Sequence, residues 1–216
     1  MNIIFGSASG IGQSLYQEYL INKMEVFGID FIESPTTNYI YNLENLENIS
    51  DLVSHFEESN IESITFCASN QNQGDFIENV FKTNVLAFIE FINLIYPKLD
   101  ECIISAISSV HSISSNPSNL YYSSSKAALE AAIRNLAIKK SNNSFYVIRL
   151  GATDTKKLRE NIDDIELLST LLPSGNVFDK KEVSNFIYTL NTKFKNLLNG
   201  AVIQIDNGVL SMLKTN

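Results

Sequence analysis

The sequence predicts an α/β fold, a doubly wound parallel sheet with helices on both faces, in a single domain over residues 1–216. Strand and helix patterns alternate from one end of the chain to the other, which favours a parallel sheet over separate helical and all-β parts. The length of 216 residues suits one domain. A composition of 44% hydrophobic and 19% charged residues is that of a globular protein and argues against disorder.

Short apolar runs predict the strands, and apolar residues three or four positions apart predict the helices. For the first half of the chain the predicted order is strand 3–5, helix 11–21, strand 24–29, a weaker strand 39–41, helix 44–57, strand 61–67 and helix 75–96. Pro97 should end the last of these helices, because a proline disfavours helical geometry in the residue before it.

The second half continues the alternation and contains an alanine-rich segment of high helix propensity. Its predicted order is strand 101–107, helix 120–139, strand 144–150, helix 156–172, helix 180–194 and strand 201–205. In the segment 156–172 the apolar residues share one helical face, namely Leu158, Ile162, Ile165, Leu168 and Leu172. We find no internal repeat and no low-complexity tract.

Charge and cysteine content limit the classes of partner. With 24 acidic and 16 basic residues the net charge is -8, which opposes binding to nucleic acid or to an anionic membrane surface. Cys67 and Cys102 each lie in an apolar stretch, so we expect buried free thiols and a reducing compartment. Met1 and Asn2 lead directly into an apolar strand without a basic segment, so we expect no signal peptide and a cytoplasmic location.

A glycine-rich turn from Gly6 to Gly12 joins the first predicted strand to the first predicted helix. Glycines there let backbone amides approach a pyrophosphate, and the helix N-terminus adds partial positive charge. Asp30 closes the second strand, where a carboxylate can accept hydrogen bonds from ribose hydroxyls and would repel a 2'-phosphate. Since no Lys or Arg lies nearby, NAD is favoured over NADP. The alternatives are a tight turn without a ligand and an exposed carboxylate at a strand end.

Tyr122 and Lys126 open the alanine-rich helix four residues apart, so a phenol and an ammonium group share one helical face. A nearby cation stabilises a phenolate and should lower the pKa of the phenol toward the range that acid/base catalysis needs. Ser108 and Ser109 end a strand, where a hydroxyl can hydrogen-bond a carbonyl oxygen. The alternative is a serine-rich loop beside a tyrosine that only packs.

Together these motifs resemble the classical short-chain dehydrogenase/reductase family over essentially the whole chain, and the resemblance implies a Rossmann-like fold. Ser109 precedes Tyr122 by thirteen residues, as the family spacing requires. The matching segments are Gly6-x-x-x-Gly10-Ile11-Gly12, Asn42-Leu43, Asn84, Ile107-Ser108-Ser109-Val110, Tyr122-x-x-x-Lys126, the run from Leu150 to Thr155 and the closing run from Gly200 to Gly208.

The resemblance implies a role for each matching position and a homodimer or homotetramer. Tyr122 would be the acid/base, Ser109 would polarise the carbonyl, Lys126 would lower the pKa of the tyrosine, and Asn84 would position a relay water. The implied cofactor-binding residues are Gly6, Ser9, Gly10, Ile11, Gly12, Asp30, Asn42, Leu43, Ala68, Tyr122, Lys126, Gly151 and Thr155.

The chain also departs from the family pattern. The usual Asn-Asn-Ala-Gly appears as Phe66-Cys67-Ala68-Ser69, and Leu150 replaces a proline. The segment 70–79 is short, which indicates that a helix of the family is trimmed here. His111 follows the serine strand and is interpreted as incidental, and the two histidines give no zinc signal.

The predicted function is that of an NAD-dependent oxidoreductase that interconverts an alcohol and a carbonyl compound on a small-molecule substrate. The segment 156–178 is expected to form a lid over the substrate pocket. One alternative is a catalytically idle NAD-binding sensor or scaffold. Another is a dehydratase or epimerase that uses NAD without net redox change.

Overall fold

The computed structural model describes residues 1–56, 59–72, 74–114, 117–139 and 142–212, and within them a seven-stranded parallel sheet forms the centre of the molecule. A separate pair of short parallel strands lies outside it. The strands are β1 Asn2–Phe5, β2 Val26–Asp30, β3 Tyr39–Ile40, β4 Ser63–Phe66, β5 Ile103–Ser109, β6 Ser144–Leu150, β7 Thr153–Asp154, β8 Phe178–Asp179 and β9 Ala201–Ile205. The large sheet has the order β3-β2-β1-β4-β5-β6-β9.

Helices cover both faces of this sheet, which confirms the predicted fold class. They are α1 Gly10–Ile21, α2 Ile49–Ser54, α3 Ile77–Phe81, α4 Ala87–Ile95, α5 Leu120–Ala137, α6 Lys156–Asn161, α7 Ile165–Leu171, α8 Lys180–Lys193 and α9 Val209–Met212. A π-helical turn, Lys82–Leu86, joins α3 to α4. On one face α1 packs against α8, and on the other α2 packs against α4.

Successive strand residues serve opposite faces of the sheet, which explains the continuous apolar runs in the sequence. In β1, Ile3 and Phe5 pack with the layer that contains α2 and α4, whereas Ile4 packs with the layer of α1 and α8. The chain order reverses between β1 and β4, and in such sheets ligands bind outside the carboxyl ends of the strands at this point.

The structure corrects the long helix predicted over 156–172. The segment forms two helices, α6 and α7, separated by Ile162 in extended conformation. Asp164 caps the second helix by accepting a hydrogen bond from the Leu167 N–H at 2.8 Å. No side chain of either helix is fully buried. Because no core packing stabilises one continuous helix, the preference of Asp164 for the N-cap position is enough to start a second helix there.

The helix predicted over 44–57 is shorter in the structure. A 3₁₀ turn, Leu46–Asn48, precedes α2, which ends at Ser54, while position 57 lies outside the described residues. Helix 75–96 is interrupted by the π-helical turn and ends at Ile95, immediately before a 3₁₀ turn that contains Pro97.

Among the described residues one helical stretch, Ile77–Lys98, is long and apolar enough to cross a membrane by length and composition alone. Its side chains Val85, Phe88, Phe91 and Ile92 are buried in the core against the sheet. The hydropathy of this stretch is therefore explained by its position as a core helix.

A chain of buried polar groups crosses the layer between the sheet and α8. Asn191 Nδ2 donates to Tyr19 Oη and to Thr65 Oγ1, each at 3.0 Å, and Asn191 Oδ1 accepts from Tyr146 Oη at 2.8 Å. Tyr19 Oη in turn lies 3.1 Å from Ser63 Oγ. A buried polar group without a hydrogen-bond partner destabilises the fold. Each group in this chain therefore needs the hydrogen bond that Asn191 or a neighbouring member provides.

Replacing Asn191 by leucine should lower the free energy of unfolding by about 1–3 kcal/mol, because the Tyr146 hydroxyl loses its acceptor inside the core. Urea unfolding measures this change. Asn185→Leu is the matched control, since Asn185 lies exposed on the same helix and should change stability by no more than about 0.5 kcal/mol. Equal effects of the two substitutions would contradict a specific role for the buried amide.

Candidate active site

The glycine turn lies at the carboxyl end of β1 and packs backbone against backbone. Gly6 has a φ of +82°, and a Cβ there would lie 2.5 Å from the Ala68 backbone nitrogen. A Cβ on Gly12 would lie 2.0 Å from the Gly6 carbonyl oxygen. Only glycine at these two positions lets α1 begin this close to the ends of β1 and β4.

The N-terminus of α1 is available to an anion. Ser9 occupies the N-cap position in extended conformation, its side chain makes no capping hydrogen bond, and the first turn of the helix contains no acidic residue. The first backbone N–H groups of α1 are therefore not capped by a side chain, and no acidic residue of the first turn neutralises the positive end of the helix dipole. Within the described chain, the neighbouring Ser7 Oγ is buried without a hydrogen-bond partner.

Asp30 connects the end of β2 to this turn. Its Oδ2 accepts a hydrogen bond from the Ala8 N–H at 2.9 Å, and its Oδ1 accepts one from the Ile32 N–H at 3.1 Å. Each carboxylate oxygen has further acceptor capacity. Of the next predicted pair, Asn42 is exposed, whereas the side chain of Leu43 is buried in the core.

Residues that follow β6 approach the same turn from the other side. The Thr155 methyl group would lie 3.6 Å from a Cβ on Gly10, and Thr155 Oγ1 caps α6 by accepting from the Leu158 N–H. A Cβ on Gly151 would lie 3.0 Å from the Asp206 Cα, so glycine allows the turn after β9 to pack here. The structure thus brings Thr155 beside the glycine turn, and the cofactor role that the resemblance implies for Gly151 and Thr155 stays a prediction.

Tyr122 lies on α5 and faces the end of β5. Its side chain is 7% exposed, and the polar side chains of Ser109, Ser69 and Gln71 lie near enough to influence the pKa of its phenol. Burial raises the pKa of the Tyr122 phenol, and these three polar neighbours lower it by a smaller amount. The prediction that a neighbouring cation lowers the pKa of Tyr122 is therefore wrong. Burial of the phenol raises this pKa by more than the neighbouring groups lower it.

Lys126 is buried one helical turn after Tyr122. Its Nζ donates a hydrogen bond to the Ile107 carbonyl oxygen at 2.8 Å and lies 5.7 Å from the centroid of the Tyr122 ring. Burial lowers the pKa of Lys126 to about 8. The ammonium group therefore titrates close to neutral pH, next to the phenol.

Asn84 lies in the π-helical turn and has no exposed surface. Its Oδ1 accepts from the Asn70 N–H at 2.6 Å, and its Nδ2 donates to the Asn70 carbonyl oxygen and to Ser125 Oγ, each at 2.9 Å. The amide is thus occupied in holding the loop after β4 against α5. The relay role that the resemblance implies for Asn84 stays a prediction.

A sequence model of a family described as Enoyl-(Acyl carrier protein) reductase matches residues 65–210, more than half of the chain. This range includes Ser109, Tyr122 and Lys126. The chain belongs to the classical short-chain dehydrogenase/reductase family, a family of oxidoreductases.

One relative and several solved structures are similar over almost the whole length. The 3-oxoacyl-[acyl-carrier-protein] reductase FabG of Rickettsia bellii (strain RML369-C) is 22% identical, over 96% of this chain and 95% of that protein. A short chain dehydrogenase family protein from Francisella tularensis subsp. tularensis SCHU S4 is 19% identical with a TM-score of 0.89, covering 97% and 98% of the two chains.

Two structures determined with a cofactor share the fold as well. 4-Hydroxyisoleucine dehydrogenase complexed with NADH is 19% identical with a TM-score of 0.85, covering 98% of this chain and 99% of that one. ElxO with NADP bound is 19% identical with a TM-score of 0.83, covering 97% and 98%. At these identities the structures confirm the short-chain dehydrogenase/reductase fold.

A buried ion pair supports the serine strand of this family member and was missed in the sequence. Glu130 Oε1 accepts from Ser108 Oγ at 2.7 Å and from Ser112 Oγ at 2.5 Å. Glu130 Oε2 accepts from Arg149 Nη2 at 2.6 Å, and Arg149 also donates to Gln204 on β9. The only sequence signal was that Glu130 shares the helical face of Tyr122 and Lys126, at the same spacing of four residues.

Among the residues that the structure describes, the other reactive side chains of this short-chain dehydrogenase/reductase form no second centre. Burial raises the pKa values of Cys67 and Cys102 to about 12, so both free thiols stay protonated at neutral pH. His111 lies on the turn after β5 with its ring 6.5 Å from that of Tyr122, and burial lowers its pKa. In the described part of the chain, no three His, Cys, Asp or Glu side chains converge as metal ligands do.

Proposed function

We propose that this protein is an NAD-dependent oxidoreductase that interconverts an alcohol and a carbonyl compound by hydride transfer. The observation that carries the proposal is the group formed by Ser109, Tyr122 and Lys126 at the carboxyl edge of the sheet. In it the Ser109 side chain lies near enough to the Tyr122 phenol to lower its pKa, and a buried ammonium group lies beside the phenol ring. A packed tyrosine without a catalytic role needs neither neighbour.

The chain's own groups suit a nicotinamide dinucleotide. The uncapped N-terminus of α1 and the glycine turn together fit a pyrophosphate. When bound, the cofactor supplies or accepts the hydride. Gly151 and Thr155 would bind at the nicotinamide end, and Lys126 would bind the ribose beside it.

Asp30 supports NAD as the preferred cofactor. Its carboxylate is tied to the glycine turn through the Ala8 N–H, so it lies where an adenosine ribose would meet the turn. A 2'-phosphate there would bring like charges together. Because proteins of this fold bind NADH in one case and NADP in another, the fold leaves this choice open, and the proposal depends on Asp30.

In the proposed reaction the chain provides the proton and the polarising contacts. Tyr122 Oη donates its proton to the carbonyl oxygen during reduction and takes it back during oxidation, while Ser109 Oγ holds the same oxygen. Lys126 stabilises the phenolate that Tyr122 becomes. The segment 156–178 would cover the substrate, and the exposed Leu167 and Leu171 on α7 would give that cover an apolar surface.

We expect NADH to stabilise the protein more than NADPH does. At about 100 times its dissociation constant a ligand adds roughly 2.7 kcal/mol to the free energy of unfolding, which thermal or urea unfolding detects. Asp30→Asn is the control, because it removes the charge while keeping a hydrogen-bond acceptor. This substitution should reduce the difference between the stabilisation by NADH and the stabilisation by NADPH. Stronger stabilisation by NADPH would contradict the role of Asp30, and no response to either would contradict the dinucleotide site.

Turnover separates the proposal from an enzyme that uses NAD without net redox change. Purified protein is incubated with NAD and a panel of alcohols, and the absorbance of NADH is followed. An alcohol dehydrogenase accumulates NADH in proportion to product. Product formation without NADH accumulation would contradict the proposal in favour of dehydration or epimerisation.

A further inference from the structure

Ser109, the serine of the proposed reaction, lies in a short segment whose two ends bind one buried carboxylate. Ser108 Oγ, on the preceding residue, donates to Glu130 Oε1 at 2.7 Å, and Ser112 Oγ, on the turn that follows, donates to the same oxygen at 2.5 Å. Glu130 belongs to α5, the helix that also carries Tyr122. One side chain therefore connects the Ser109 segment to the helix of the proposed acid/base.

Ser108 and Ser109 have different partners. Successive residues of a strand point to opposite faces of the sheet, so the side chain of Ser109 points away from Glu130. Ser109 Oγ accepts a hydrogen bond from the His111 N–H at 3.2 Å, which belongs to the turn that ends at Ser112. Because a hydroxyl accepts through a lone pair, the proton of Ser109 Oγ stays available for a substrate oxygen.

Arg149 fixes the carboxylate from the side of the sheet. Its Nε donates to Glu130 Oε1 and to Ser112 Oγ, each at 3.1 Å, and its Nη2 donates to Glu130 Oε2 at 2.6 Å. Its Nη1 donates to Gln204 on β9 at 3.2 Å. The Glu130 side chain is 2% exposed, so little water competes for these contacts. Hydrogen bonds between buried charged groups are strong, and this network holds the carboxylate in one place.

We propose that Glu130 is a positioning residue of the active site, which fixes the Ser109 hydroxyl relative to Tyr122 by holding Ser108 and Ser112. The inference rests on the proposed function, in which the hydroxyls of Ser109 and Tyr122 meet one substrate oxygen. Two donors reach one oxygen only at a fixed separation, and a displacement of about 1 Å can reduce a rate by about 10²-fold. Glu130 acts through Ser109 and does not itself meet the substrate.

The test is a variant that removes both serine contacts and keeps the ion pair, Ser108→Ala/Ser112→Ala. With the alcohol that NAD oxidises fastest, we expect kcat to fall by about 10- to 100-fold, with a much smaller change in the KM for NAD. Ser112→Thr keeps the hydroxyl and should keep most of the turnover. In a Ser109→Ala background the double substitution should lower kcat no further, because the hydroxyl whose position it alters is gone.

Amide hydrogen exchange measures the same effect without turnover. The His111 N–H is protected by its hydrogen bond to Ser109 Oγ, so we expect it to exchange about tenfold faster in Ser108→Ala/Ser112→Ala. Ser105→Ala is the matched control, because it removes a fully buried serine of the same strand, which donates to Thr65 Oγ1 at 3.0 Å. This control should leave kcat and the exchange rate of His111 unchanged.

The two measurements separate this inference from the proposed function. If the unaltered protein turns over, an unchanged kcat in Ser108→Ala/Ser112→Ala would overturn the inference, and so would a loss that adds fully to that of Ser109→Ala. An unchanged exchange rate of His111, or equal changes in Ser105→Ala, would overturn it as well. An unaltered protein that transfers no hydride to NAD contradicts the proposed function, and the exchange rate of His111 then still decides whether Glu130 positions Ser109.

Discussion

Replacing Tyr122 by phenylalanine should reduce turnover by about 10²- to 10⁴-fold, the contribution typical of general acid/base catalysis. The substitution removes one oxygen atom and keeps the buried ring, so packing in α5 is preserved. Loss of the largely buried hydroxyl should change the free energy of unfolding by no more than about 1 kcal/mol. NADH binding, measured by fluorescence titration, should stay close to that of the unaltered protein, since the glycine turn and Asp30 are untouched.

The matched control is Tyr121→Phe. Tyr121 is the preceding residue on the same helix, is 39% exposed, and should tolerate loss of its hydroxyl without loss of turnover. If Tyr122→Phe kept most of its activity, another group would have to exchange the proton. If the protein were an idle NAD-binding sensor or scaffold, both substitutions would leave its output unchanged.

Replacing Glu130 by leucine should lower the free energy of unfolding by about 3–5 kcal/mol, because it leaves the Arg149 guanidinium in the interior without its carboxylate. Glu130 is 2% exposed and Arg149 13%, so water compensates little. Single domains are stable by only about 5–15 kcal/mol. The loss would therefore be a large share of the total, and Ser108 and Ser112 would lose their common acceptor with it.

The pH dependence of stability should report the same pair. Burial opposes ionisation of Glu130, but hydrogen bonds from Arg149, Ser112 and Ser108 outweigh it and hold the pKa of this carboxyl below its usual range. The stabilisation is present above the pKa of the unfolded chain and is lost as the pH falls through the lower pKa of the folded state. In Glu130→Leu, the free energy of unfolding should lack the decrease at acid pH that protonation of Glu130 causes in the unaltered protein.

Urea unfolding of two further variants decides what the pair contributes. Glu130→Leu/Arg149→Leu removes both charges and should recover most of the stability that the single substitution loses. Asp154→Asn breaks an exposed ion pair, in which Arg159 Nη2 lies 2.6 Å from Asp154 Oδ2, and should cost no more than about 1 kcal/mol. A double variant as unstable as the sum of its singles would contradict a coupled pair.

The sheet, its helices and the place of the candidate site could be predicted from local patterns in the sequence. Apolar runs and spacing of three or four residues indicated the strands and helices, and β6 and β9 have the predicted bounds. Tyr122 and Lys126 were recognisable because both lie within one turn of a helix. The glycine turn was recognisable because strand, turn and helix are contiguous.

The features that were missed depend on partners far apart in the chain. Glu130 and Arg149 meet only because α5 packs over β5 and β6, and no local pattern relates them. The break at Ile162 reflects the lack of a packed surface under α6 and α7, which periodicity does not reveal.

The short pair of strands β7 and β8 has a consequence for how the enzyme surface can change. Thr153 pairs with Phe178 and Asp154 with Asp179, so the two ends of the intervening segment are already joined at its base. The entropic cost of closing a loop grows slowly, by about 0.6 kcal/mol for each doubling of its length. We therefore expect that a longer, shorter or unrelated sequence can replace residues 156–177 while the large sheet keeps its structure, because the β7–β8 pair still joins the two ends of the segment.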